Sequence, residues 1–102
     1  MELLKVTDFF IAFRKGIKLC LENMPWNSYS IATPYRIVEL VKEVDDEHFQ
    51  CCLDTGHVIA LDKISLGDAV RIFGKDLKTL HVHDSKPGFD YHMFPFFGTA
   101  DW

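Results

Sequence analysis

Three short runs with the pattern of β-strands constrain what this chain can fold into: "IKLCLE" (17–22), "FQCCLD" (49–54) and "LKTLHVHD" (77–84). In the first, Ile17, Leu19 and Leu21 alternate with Lys18, Cys20 and Glu22, which is the period of a strand with one face in a core. A segment of helical spacing stands before each run. Strands that alternate with helices build βαβ units around a parallel sheet. Right-handed crossovers then place all three strand C-termini on one edge. Glu22, Asp54 and the group from His81 to Asp84 fall at those ends. In α/β barrels and in open α/β sheets, that edge is where ligands bind.

The connecting segments carry their own boundary signals. Residues 6–15 read as a helix, with Phe9, Phe10 and Phe13 at helical spacing and Gly16 at the C-terminal cap position. Residues 24–33 read as a loop broken by Pro25. Thr33 is a candidate N-cap with Pro34 at the first helical position. Ile37, Leu40, Val41 and Val44 then form one apolar stripe, and "DDEH" ends the helix. "TGH" follows the second strand as a turn. A helix over 65–73 begins with the spaced pair Ser65 and Asp68 and closes at Gly74. The third strand runs to Asp84 and a long loop follows it. Cys51 and Cys52, adjacent on one strand, are expected to face opposite sides, with one of them buried.

A chain of 102 residues allows one domain, spanning 1–102. Its 48% hydrophobic content, with nine Phe, is enough for a core and argues against disorder. The formal charge of −4 and the lack of any basic run disfavour a nucleic-acid partner, which needs cations against its phosphates. No apolar run approaches the roughly 18 residues of a membrane span. The N-terminus "MELLKVTDFF" lacks the basic start of a signal peptide. Three cysteines without framework spacing argue against a secreted disulfide scaffold, so a reducing, cytoplasmic setting is expected.

Each polar residue at the strand ends has a plain structural reading. Glu22 alone is a solvated charge, Asp54 before Thr-Gly is a turn former, and a single core His is a hydrogen-bonded one. One geometry nevertheless brings Glu22, Asp54, His57, His81, His83 and Asp84 to the same edge, and Asp90 and His92 lie in the loop that follows. His81 and His83, two apart, are expected to point to one face. Carboxylates with neutral imidazoles are the ligand set for Zn, Mn, Co or Fe rather than Ca.

Four motifs, "LCLENMP", "CCLDTGHV", "LKTLHVHDS" and "DYHMFPFFGTADW", resemble the successive strand-end motifs of the xylose isomerase-like TIM barrel superfamily. That superfamily holds the sugar phosphate isomerase/epimerase family and the related endonuclease-type AP enzymes. The resemblance covers residues 16–102. It implies an α/β fold, a partial (β/α)8 TIM barrel made of roughly the fifth to seventh strands with their helices. Its motifs imply a divalent metal (Mn, Co, Zn or Mg) held by Glu22, Asp54 and His81, with Asp90 and His92 as further metal positions. They imply Glu22 and His57 as catalytic residues, and substrate contacts from His57, His83, Lys86 and His92. The implied reaction is proton transfer next to the carbonyl of a sugar or sugar phosphate, through a metal-stabilised enediolate.

The family's remaining metal ligand is a Glu on the eighth strand, beyond "GTADW", and a full barrel takes roughly 250 residues. The chain is therefore expected to be a fragment that lacks full activity alone, with a homodimer as one way to cover its open sheet edges. Two alternatives stand beside the isomerase: an AP endonuclease-like phosphodiesterase, to which "HDSK" and the Asp90/His92 pair lean, and an inactive truncated gene product.

Overall fold

The computed structural model describes residues 11, 13–25 and 33–102. Strands β1 (Leu19–Glu22), β2 (Phe49–Asp54) and β3 (Leu77–His81) form a parallel sheet in the order β1-β2-β3. Glu22 pairs with Cys52 and Asp54 with His81, so the strand C-termini share one edge. Helix α1 (Pro34–Val44) links β1 to β2, and α2 (Thr55–Leu61) and α3 (Leu66–Phe73) link β2 to β3. Of the first expected helix, residues 11 and 13–15 are helical and Gly16 leaves it at φ +68°. Phe9 and Phe10 lie outside the described residues, as do residues 26–32 of the first loop.

The core fills the space between one face of the sheet and the helices. Phe49, Cys51 and Leu53 of β2 meet Ile37, Val38 and Val41 of α1, Val58 of α2, and Ala69 and Phe73 of α3. Each fully buried large apolar side chain contributes about 1.5–3 kcal/mol. α1 starts as expected, with the Thr33 hydroxyl accepting the Arg36 N–H at 3.4 Å. Its buried stripe takes in Val38, whereas Val44 is exposed. Val44 is the last helical residue, next to Asp45 in the left-handed conformation, and there the chain already turns away from the core. α3 is capped by Ser65, which accepts the Asp68 N–H at 3.0 Å, and it ends at Gly74.

Three expectations change. Both Cys51 and Cys52 are buried. They do take opposite faces, Cys51 in the helix-side core and Cys52 beside Cys20, Glu22 and Asp54. All six residues of β2, the strand paired on both edges, are buried. Second, "TGH" is the first turn of α2 and not a free turn. The Asp54 side chain accepts the His57 N–H at 2.9 Å and so starts a helix that Thr-Gly alone would not favour.

Third, β3 stops at His81. One hydroxyl draws the chain off the strand line: Thr55 Oγ1 accepts the His83 N–H at 3.0 Å and donates to its carbonyl at 2.7 Å. The segment read as a long loop then forms an antiparallel hairpin, β4 (Asp84–Lys86) with β5 (Phe89–Met93), turning at Gly88 with φ +81°.

Beyond the hairpin, residues 94–102 are fastened by the buried Asp84 side chain and by the Thr99 N–H, which donates to the Ser85 carbonyl at 2.9 Å. Asp84 Oδ1 accepts the N–H groups of Ser85 (2.8 Å) and Ala100 (3.1 Å). Its Oδ2 accepts the Phe96 N–H (3.0 Å) and the Trp102 indole N–H (3.2 Å). Burial pushes this carboxyl upward, but the N–H groups of Ala100, Ser85 and Gly98 and the Trp102 indole outweigh it and hold it below the ordinary carboxylate value. Among the described residues no helix is long and apolar enough to cross a membrane.

Candidate metal and substrate site

The C-terminal edge of the sheet gathers the expected residues. Glu22 ends β1, Asp54 ends β2 and His81 ends β3. Glu22 Oε1 lies 2.9 Å from His81 Nδ1 and 3.6 Å from His57 Nδ1. Asp54 Oδ2 lies 3.6 Å from His57 Nε2 and 3.8 Å from His81 Nδ1. His57 comes in from the first turn of α2 and is buried, whereas His81 is exposed at the rim. Glu22, Asp54 and His57 each offer a ligand atom within 4.8 Å of one another.

A second group overlaps the first. His57, His83, Asp90 and His92 also bring ligand atoms within 4.8 Å of one another. The hairpin supplies two of these, with Asp90 Oδ2 3.4 Å from His57 Nε2. His92 adopts φ +53°, a conformation a side chain rarely takes, and its ring lies flat on that of His83 with centroids 4.2 Å apart. His81 and His83 both reach Asp54, at different depths: His83 is buried, with Nε2 2.6 Å from Asp54 Oδ1. Lys86 stands apart. It is exposed next to the hairpin turn, and among the described residues no hydrogen bond or ion pair joins it to the cluster.

Whether these residues suit a divalent cation can be judged from their unsatisfied atoms. Buried polar groups are nearly always paired. Asp90 Oδ1 and His83 Nε2 are buried without an aligned hydrogen-bond partner, and both belong to the second group. His57 shows which of its nitrogens is available. Nδ1 is 2.7 Å from the Asn23 carbonyl, an acceptor only, so Nδ1 carries the proton and Nε2 keeps its lone pair toward Asp54 and Asp90. Carboxylates, imidazole lone pairs and orphaned acceptors suit a borderline divalent cation.

Asn23 is a residue the motif reading passed over. It is buried, its Oδ1 accepts the Asp54 N–H at 2.8 Å, and its Nδ2 donates to the Asp54 carbonyl at 3.1 Å. It thus locks the ends of β1 and β2 together while orienting His57. An amide directly after a strand-end acid, in "LENMP", is the signal that marks it.

A parallel α/β sheet with its ligand-type side chains on the C-terminal edge defines an α/β protein of the barrel or open-sheet class with its site at the top of the strands. Comparison with known proteins narrows this. The chain belongs to the xylose isomerase-like TIM barrel family, whose model matches residues 5–102. An uncharacterised protein of Methanocaldococcus jannaschii is 31% identical over 85 residues, which cover 81% of this chain and 29% of that protein. The crystal structure of a D-tagatose 3-epimerase-like protein superposes with a TM-score of 0.79 at 27% identity, covering 93% of this chain and 36% of the other. The chain thus spans about a third of the length of these relatives. Its three parallel strands with their helices are a partial TIM barrel.

Proposed function

We propose that residues 1–102 form one partial-barrel domain carrying most of the active site of a metal-dependent sugar isomerase or epimerase. The observation that carries this reading is the convergence of Glu22, Asp54, His57 and His81 at one sheet edge, with ligand atoms 2.9–3.8 Å apart. The likeness to an epimerase-like protein supports the substrate class, a free or phosphorylated sugar. Glu22, Asp54 and His81 would hold the metal, with Asp90 and His92 as further ligands. The bound cation would supply Lewis-acid polarisation of the sugar's carbonyl and adjacent hydroxyl. Glu22 is the base for the proton on the neighbouring carbon, since its side chain is only partly covered. His57, fixed by Asn23, accepts from a substrate hydroxyl through Nε2, and the exposed ring of His92 meets the substrate from the hairpin.

The test is solvent exchange. With Mn or Co present, the chain should wash deuterium from heavy water into the carbon beside the carbonyl of a ketose. Glu22→Gln should slow this by about 100-fold or more, as expected for loss of a general base. Unchanged exchange and unchanged metal content in Glu22→Gln would sink the assignment.

The second group, His57, His83, Asp90 and His92, favours a second reading, a metal-cluster phosphodiesterase of the AP endonuclease kind. Metal content separates the two. One tightly held ion per chain supports the isomerase, and two or more with cleavage of an abasic-site duplex support the phosphodiesterase.

A further inference from the structure

We infer that His83 is a positioning residue, which holds one oxygen of the Asp54 carboxylate so that only the other faces the site. The inference rests on the reading of Asp54 as a metal ligand. Asp54 Oδ1 accepts the His57 N–H at 2.9 Å, and His83 Nε2 lies 2.6 Å from that same oxygen. Oδ2 is turned to the other side, 3.6 Å from His57 Nε2 and 3.8 Å from His81 Nδ1. A carboxylate with one oxygen held by the protein offers a cation a single ligand atom in a fixed place. Partners of this kind orient the ligand and set its affinity.

The surroundings of His83 are built for that ring. Thr55 Oγ1 pins its backbone N–H and carbonyl. Gly56 leaves the space it occupies, because a Cβ there would fall on the imidazole. His92 covers the outer face, with the two ring planes within 2° of parallel. His83 is 8% exposed. Its Nδ1 sits at the longer distance of 3.3 Å from the Asp84 carbonyl. A phenyl ring keeps the flat shape against Gly56 and His92 but must shift to clear Oδ1, because it has a C–H where the imidazole has a nitrogen. What the imidazole adds is a nitrogen 2.6 Å from Oδ1, a close polar contact that lies off the line of a regular hydrogen bond. Three residues of "DTGH" therefore converge on His83: Asp54 meets its edge, Thr55 its backbone and Gly56 its face.

The deciding variant is His83→Phe, which keeps the flat ring and removes the nitrogen. Three quantities are measured: melting temperature without metal, cobalt(II) binding by calorimetry, and the side-chain carboxyl 13C resonance of Asp54 without metal. The expected result is a chain that still melts cooperatively, a cobalt Kd raised about 10–100-fold, and a shifted Asp54 resonance. If His83→Phe melts early, His83→Gln, whose amide keeps an N–H near Oδ1, should hold the Kd within about tenfold of wild type, about 1.4 kcal/mol. Wild-type affinity in His83→Phe overturns the inference. So does loss of one whole equivalent of cobalt with the rest bound as before, which would make His83 a ligand itself. If the wild-type chain binds no cobalt, the isomerase reading fails instead. An Asp54 resonance that does not move in His83→Phe then removes the contact as well, and one that moves upholds it.

Discussion

Asp84→Asn tests what holds residues 94–102 in place. Phe94, Phe96 and Phe97 are 77%, 79% and 71% exposed, so burial of their rings contributes little to fixing the segment. The fastening falls to the Phe96, Gly98, Ala100 and Trp102 N–H groups on the Asp84 carboxylate, which also takes the Ser85 N–H, and to the Thr99 N–H on the Ser85 carbonyl at 2.9 Å. An asparagine offers one acceptor oxygen and turns an amide N–H₂ toward two of those donors. Each buried donor left without a partner costs about 1–3 kcal/mol, so two cost roughly 2–6 kcal/mol if the segment stays put. The segment has a cheaper outcome, because Phe96, Ala100 and Trp102 can peel off and bond to water. Only the fully buried Ser85 cannot.

The loss of global stability is therefore expected to stop near 1–3 kcal/mol, about one orphaned donor. Local opening of the segment should become easier by at least about 2 kcal/mol, which is roughly a 30-fold rise in exchange. Hydrogen exchange at the Phe96 and Ala100 amides reads this directly. Protection of both amides equal to wild type would refute the reasoning. The pH dependence supplies a sign check. The Asp84 carboxyl lies below its ordinary value in the folded chain, so its stabilisation is present above the unfolded value of about 3.9. It is lost as pH falls through the lower folded value. Asp84→Asn should lack this particular loss on the acid side.

Two further outcomes follow from named contacts. Burial pushes the Cys51 thiol up to about 12 and, with Glu22 nearby, the Cys52 thiol to about 11, so neither should react with a maleimide at pH 8 before Cys20, which is only partly buried. Mass spectrometry of the labelled native chain checks this, and early modification of Cys51 or Cys52 would contradict the packing of β2. Ser65→Ala removes the acceptor for the Asp68 N–H and should cost about 1 kcal/mol in a urea melt, with Ser65→Asp restoring most of it.

The strands were legible because their signals are local. Leu19–Glu22 and Phe49–Asp54 carry apolar runs bounded by polar ends, and Thr33, Pro34 and Ser65 mark helix starts by side-chain chemistry alone. The convergence of Glu22, Asp54 and His81 was legible through topology, since parallel strands leave their C-termini on one edge. What was not legible depends on partners distant in sequence. His83 leaves the strand because of Thr55, 28 residues earlier, and Asn23 finds Asp54 across 31 residues. α2 was hidden because Thr and Gly favour turns and only the Asp54 cap reverses that. The hairpin was hidden because Phe89–Met93 is polar on alternate positions and mostly exposed, which reads as loop. Lys86, a substrate position implied by resemblance, stands beside the hairpin turn, and among the described residues no hydrogen bond or ion pair joins it to the cluster.

Asp54 caps α2 and also stands in the candidate site, and this has a consequence for how the chain would change over generations. A lineage released from its chemistry could drift at Glu22 or His81, whose side chains are partly open to solvent. It could not drift freely at Asp54, because the same substitution would unfasten a helix and strand a buried amide. Descendants without activity should therefore keep a capping side chain here, Asp, Asn or Ser. Its retention in a relative would be a record of folding, and the fate of Glu22 the better witness to whether the reaction is still performed.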